Sequence, residues 1–424
     1  MYKPYNWLLL CFTFTFIGQH TLAQTKNELV TAINQQLIPL KTLTPGDDFA
    51  DLEKLKVILK DKPVIGLGEA THGTHEFFLF KHRMLAFLVE EMGFKNFLIE
   101  ADFAGTQAMN DYVINGKGDV NKGLQGMGFG VWMTGEMVDM ANWIKAYNSM
   151  QSPQNKVRFW GIDMQWGSSA MLPLKEYLIQ SNRFTPEMEA GFTAMKKYTP
   201  SLTGEDKVAI RKAVSGLNGI DLTGTDTALY AHYVRELQQF VDYVDAGSTF
   251  FPARRSDVRD KYMAENCEWI YHYTGQSKMM IWAHNGHINK SSGSDSFKRM
   301  GIWLAADLKE KYYAMGFDFA TGNMRSWDVK LRKTVAVPLP QIIPAASGAL
   351  FAQCNTPNFI LDFKSASADP VIKSFLNSKV PSFFFGAEYT AGTTPHYVTH
   401  KLADTYDAII FIRDTHAAMN IPGK

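Results

Sequence analysis

The stretch Val64-Ile65-Gly66-Leu67-Gly68-Glu69-Ala70-Thr71-His72-Gly73 settles the fold class. A short apolar run with two glycines stops on a carboxylate, and a histidine comes three residues later. A run of this kind, bounded by turn residues and succeeded by an amphipathic pattern, reads as a strand buried on both faces that hands over to a helix. To either side along the chain, the pattern recurs at Asn96–Ile99, Val157–Ile162, Met279–Ala283, Tyr312–Phe317, Phe359–Phe363 and Ala408–Ile412. Strands alternating with helical stretches predict an α/β fold, with a mostly parallel sheet flanked by helices. Residues 24–424 then form a single catalytic domain. The stretch of about 172–275 lacks a strand pattern and predicts a helical insertion or cap between the third and fourth core strands. That insertion would shape a pocket while bringing no chemistry of its own.

The residues just after each strand point to function. The first ends in Glu69 and His72, the second in Glu100 and Asp102, and the third in Asp163. The fourth runs into His284-Asn285-Gly286-His287 and the fifth into Asp318. Ligands of open α/β sheets bind in the crevice outside the carboxyl ends of the strands, so five titratable strand ends predict a convergent site. Gly66 and Gly68 permit close backbone approach there. Thr71 or Thr74 is placed to cap the next helix, whose positive end would favour neutral imidazole at His72. Glu69 would hold the other ring nitrogen, which suits a general base acting on water.

On that helix, Phe77, Phe78, Met84, Leu85 and Leu88 mark a buried stripe, and Lys81 falls inside it. A lysine there needs a carboxylate partner, Glu69 or Glu100, or else a route past the helix edge to solvent. Lys81, His287, Glu76 and Asp163 form the supporting set around the catalytic candidates His72, Glu69, His284 and Glu100. His75 and His82 read as surface residues. The His284/His287 spacing resembles a metal-ligand pair, but it straddles a strand end and belongs to no HExxH motif. The chain also lacks a GxSxG elbow, a Walker loop, a GxGxxG after a strand and a CxxC pair. Water activated by histidine, with neither metal nor cofactor, is the simplest scheme. Its rivals are zinc held by His72, His284 and a carboxylate, and a non-catalytic crevice for a macrocycle or haem.

Composition narrows the partners. Lysine plus arginine (43) nearly equals aspartate plus glutamate (42), so no global field favours nucleic acid. At 46% hydrophobic residues, the 424-residue chain can bury a large core. Lys3, the apolar run Trp7–Ile17 and the small residues ending at Ala23 read as a signal peptide over residues 1–23, predicting a periplasmic or secreted protein. Nothing later reaches the ~18 apolar residues of a membrane span, so no stable membrane insertion is expected. Cys267 and Cys354 could pair once exported, although their spacing gives no framework and buried thiols are the simpler reading.

Several blocks carry a resemblance: GLGEATHGTHEFFLFKHRMLAFLVEEMGF (66–94), LIEADFAGTQAMNDYV (98–113), VWMTGEMVDMANWIKAYN (131–148), FWGIDMQ (159–165), RDKYMAENCEWI (259–270), AHNGHIN (283–289) and the segment from Gly386 to Ala417. Together they resemble the erythromycin esterase family over nearly all of the chain beyond the leader. The resemblance implies hydrolysis of a macrolide lactone or similar small-molecule ester by activated water, without a covalent intermediate. By motif position it makes His72 the general base, Glu69 and Glu100 its acidic partners, and His284 a second active-site histidine with His287 nearby. Lys81 stands where macrolide-degrading members can carry arginine, and His75 where many relatives have arginine. Those departures bear on the substrate more than on the hydrolytic chemistry.

Overall fold

The computed structural model describes residues 26–224, 226–247, 252–291, 298–392 and 396–421. The leader expected over residues 1–23 lies outside them. The strands are β1 (Ile38–Pro39), β2 (Val64–Leu67), β3 (Asn96–Asp102), β4 (Arg158–Asp163), β5 (Met279–Trp282) and β6 (Tyr312–Asp328). They continue with β7 (Lys333–Pro338), β8 (Asn358–Asp362), β9 (Lys379–Phe384), β10 (Glu388–Tyr389), β11 (His396–Lys401) and β12 (Ala408–Thr415). The main sheet runs β1-β8-β12-β6-β2-β5-β3-β4. Every pairing from β12 to β4 is parallel, while β8 and β1 add an antiparallel edge. All seven apolar runs of the sequence lie in this sheet.

The runs are apolar throughout because both faces are covered. Successive residues point to opposite sides. Met279 and Ile281 enter one core, while Met280 and Trp282 enter the other. The second core is closed by the helix His75–Met92 through Phe77, Phe80 and Met84, and by the helix Gly135–Ser149 through Met137 and Met140. The first is closed by helices from the segment between β4 and β5, where the described residues form helices and turns but no strand. That segment does not stand apart from the sheet. Its last helix, Pro252–Tyr273, packs Met263, Cys267 and Ile270 into the same core as Ile162 and Ile281.

Three expectations are corrected. His82 is buried because the helix Gly135–Ser149 packs Trp143 against it, and the next residue, Arg83, is buried in a pair with Asp51 at 2.5 Å. Neither Thr71 nor Thr74 caps that helix with its side chain; the two hydroxyls bond each other instead. The fifth strand does not stop at Phe317 but runs on to Asp328, leaving the main sheet to pair with β7 and β10. Cys267 and Cys354 are buried free thiols. No helix among the described residues is long and apolar enough to cross a membrane.

Candidate active site

The order β2-β5-β3-β4 sets four strand ends side by side, bringing Glu69 with His72, then His284, Glu100 and Asp163 into one row. Two glycines permit the close approach. A Cβ on Gly68 would overlap the side-chain oxygen of Asn285, whose amide ties Phe317 on β6 through bonds of 2.7 and 2.9 Å. A Cβ on Gly73 would overlap the Arg325 carbonyl, where the extended β6 passes the His72 loop and donates Arg325 N to Gly73 O at 2.8 Å.

Glu69 is fully buried and divides its two oxygens. Oε1 accepts His72 Nδ1 at 2.7 Å, while Oε2 accepts Lys81 Nζ at 2.7 Å and Trp282 Nε1 at 2.8 Å. Burial works to raise its pKa, but Lys81 and His72 outweigh burial and hold the carboxylate below its ordinary range. Burial pulls Lys81 down to about 8 against the opposing pull of Glu69. The ammonium sits 4.2 Å over the Trp282 ring. Lys81 is therefore a sealed support for Glu69, with no face toward a substrate. With Nδ1–H committed to Glu69, His72 keeps its Nε2 lone pair outward, and no described residue bonds it.

His284 packs against His72 with ring centroids 4.8 Å apart. Its own nitrogens face backbone: Nδ1 accepts Gly286 N at 3.0 Å and Nε2 donates to Phe385 O at 3.1 Å. Burial and the neighbouring His72 push its pKa well down, which keeps it neutral. With both nitrogens engaged, His284 has no N–H left to offer a substrate oxygen.

Glu100 accepts His284 N at 2.9 Å, Arg259 Nη2 at 2.7 Å and His287 Nε2 at 3.2 Å. Burial opposes its ionisation, yet His287 and Arg259 carry its pKa well below the ordinary value. Arg259 also grips Asp163 through Nε at 3.0 Å and Nη2 at 2.6 Å. His287 donates Nδ1–H to Asp260 at 2.7 Å. Against burial, Asp260 and Glu100 lift His287 to about 9. Arg259 Nη1 lies 3.1 Å from His287 Nε2, an approach of two donors once the ring is protonated, so the Glu100 bond is the one that holds in the charged state. Lys81, Arg259 and His287 then face Glu69, Glu100, Asp163 and Asp260: three cations against four carboxylates.

This ionisation predicts a pH dependence. A folded pKa above the free histidine value of ~6.5 means that His287 stabilises the fold fully below that pH and loses its contribution as pH rises toward about 9. Wild-type stability in urea should fall across pH 6.5–9, and a His287→Gln variant should show a flatter profile. Parallel profiles would remove the ionic role of His287.

Other expected residues lie elsewhere. Glu76 turns to the C-terminal segment and accepts His416 N and Nδ1 at 2.7 and 2.6 Å. His75, expected at the surface, is partly buried and bonds Glu136 at 2.5 Å. Asp318 accepts Ser347 Oγ at 2.5 Å and is pushed up to about 6 by burial. Burial, with Asp163 adding to it, pushes Asp102 up to about 8. Nearby Glu236 is also raised, by burial and by Asp102. Among the described residues no three His, Cys, Asp or Glu side chains gather as metal ligands.

Sequence reasoning missed Arg259, Asp260 and Trp132. Trp132 meets His72 edge-on at 6.1 Å between centroids and donates to Glu100 O at 2.9 Å. Arg259 and Asp260 belong to the segment expected to bring no chemistry, and their helix carries them into the site. Their signal in the sequence is the adjacent opposite charges opening RDKYMAENCEWI, a pattern also common on solvated helix faces.

The family model for erythromycin esterase matches residues 89–415, which takes in Glu100, Asp163, Arg259, His284 and His287 and begins after Glu69, His72 and Lys81. The chain is 28% identical over 331 residues to erythromycin esterase type II of Escherichia coli, covering 69% of this chain and 77% of that protein. A Bacillus cereus protein of known crystal structure superposes with a TM-score of 0.81 at 26% identity, over 93% of this chain and 99% of its own. An erythromycin esterase mutant in its open conformation shares the fold, with a TM-score of 0.65 at 17% identity over 89% of this chain and 97% of its own. With its fold and the greater part of its length matched in this way, the chain belongs to the erythromycin esterase family, a family of hydrolases.

Proposed function

We propose that the protein is an exported carboxylic-ester hydrolase that cleaves an ester or lactone, a macrolide being one candidate, by water attack without a covalent intermediate. The observation that carries this reading is the Glu69–His72 bond of 2.7 Å with the other His72 nitrogen left outward. His72 Nε2 takes a proton from water as the water attacks the ester carbonyl. The imidazolium is stabilised by Glu69, and its proton passes to the leaving alkoxide as the tetrahedral intermediate collapses. Lys81 and Trp282 hold the Glu69 carboxylate in place. Arg259 and His287 supply positive potential beside Glu100 for the charge that develops on the carbonyl oxygen.

Purified protein should convert at least one member of a panel of macrolides, simple lactones and linear esters to a product heavier by one water, read by mass spectrometry. A single oxygen from labelled water should appear in the acid under single-turnover conditions. A panel left intact would remove the esterase reading. Activity abolished by a chelator and restored by zinc would transfer the chemistry to a metal. Export predicts that protein recovered from the periplasm begins at Gln24.

A further inference from the structure

A cavity of ≈ 340 Å³ lies beside the His72 loop, and three stretches of its wall run into the site. Gly128–Val131 lead directly into Trp132, which meets the His72 ring. Arg325 and Trp327 belong to the extension of β6 that pairs with Gly73. Ala387 and Glu388 come just after Phe385, whose N–H donates to Ala70 O at 3.1 Å and whose carbonyl holds His284. These backbone bonds fix the cavity's position relative to the outward nitrogen of His72. Its lining is chiefly apolar, through Phe129, Val131 and Trp327, with the Arg325 guanidinium and the exposed Glu388 carboxylate as its charged groups. Among the described residues Arg325 makes only two long side-chain bonds, to Gly130 O and Asn420 Oδ1, both 3.3 Å, which leaves part of its donor fork for a ligand.

We infer that this cavity is a substrate subsite for a single-ring, largely apolar substituent bearing an oxygen acceptor that meets Arg325. The inference rests on the hydrolase reading and names the substrate class for that same site. At ≈ 340 Å³ the cavity suits one substituted ring rather than a large ring system. It lies near the lower end of small-molecule sites. Substrates are therefore ranked by one ring-bearing arm while the rest of the molecule stays outside.

The test compares methyl acetate with methyl 3-(4-methoxyphenyl)propionate and 2-(4-methoxyphenyl)ethyl acetate, which carry the ring on the acyl or the alcohol side, by pH-stat titration. Gly130→Leu fills the cavity at a position where a Cβ meets nothing within 4 Å, so the variant should fold normally. Trp327→Ala removes a wall that is 42% exposed. Each should lower kcat/KM for one ring ester relative to methyl acetate by about tenfold or more, chiefly through KM. Ratios within twofold of wild type for both ring esters would overturn the subsite. If wild type hydrolyses none of the three, the esterase reading is what fails. Calorimetry with 3-(4-methoxyphenyl)propionate then decides the cavity alone: binding weakened about tenfold by Gly130→Leu supports it, and absent or unchanged binding overturns it.

Discussion

His72→Ala is expected to lower kcat for ester hydrolysis by roughly 10²–10⁴ while the protein stays folded, because a positioned general base contributes about that factor. The side chain is 11% exposed and sits on a loop. Its one hydrogen bond among the described residues goes to Glu69, which keeps Lys81 and Trp282 when the ring is gone. The stability cost should therefore stay near ~1 kcal/mol, the usual net worth of one hydrogen bond. Glu69→Gln should retain the ring but free its tautomer, and it leaves the Lys81 ammonium without its counterion, so activity and stability fall together. The measurement is steady-state kinetics beside thermal unfolding. Turnover within a few fold of wild type in the folded His72→Ala protein would end its assignment as the base.

Lys81→Met should produce the larger loss of stability. Both side chains of the Lys81–Glu69 pair are 0% exposed, and removing one partner leaves a charge buried without its counterion. Breaking such a pair costs about 3–5 kcal/mol, read as a lowered urea midpoint at pH 7. The deficit should shrink as pH falls, because the stranded Glu69 can then take up a proton. Adding Glu69→Gln to Lys81→Met should restore much of the stability, since no uncompensated charge remains, yet leave the enzyme slow. A single variant as stable as wild type would show that the pair is not ionic in the folded protein.

The two variants separate what is readable in sequence from what is not. The seven strands are legible because a doubly covered parallel strand must be apolar along its whole length, and a four-to-six-residue window carries that signal. Glu69, His72, Glu100, Asp163 and His284 can be marked because each lies at or just beyond the end of such a run. Lys81 is conspicuous by its helical spacing among Phe77, Met84 and Leu85. Its partner stays open between Glu69 and Glu100 in the sequence, because strand order is set by packing and crossovers rather than by local pattern. Arg259 is invisible for the same reason: it bonds Glu100 across 159 positions and Asp163 across 96. Glu76 is misplaced because its neighbourhood depends on where the C-terminal segment returns, beside His416.

Local pattern was enough to set the strands, the residues at their ends and the buried lysine, since all of these come from periodicity and the cost of burying polar groups. It took the packed fold to place β5 between β2 and β3, to turn both nitrogens of His284 to backbone, and to bring Arg259 and Asp260 into the charge cluster. The physical reason is range: hydrophobic patterning acts over a few residues, whereas charge pairing in a buried site acts over a few ångströms, and only the folded chain converts one into the other.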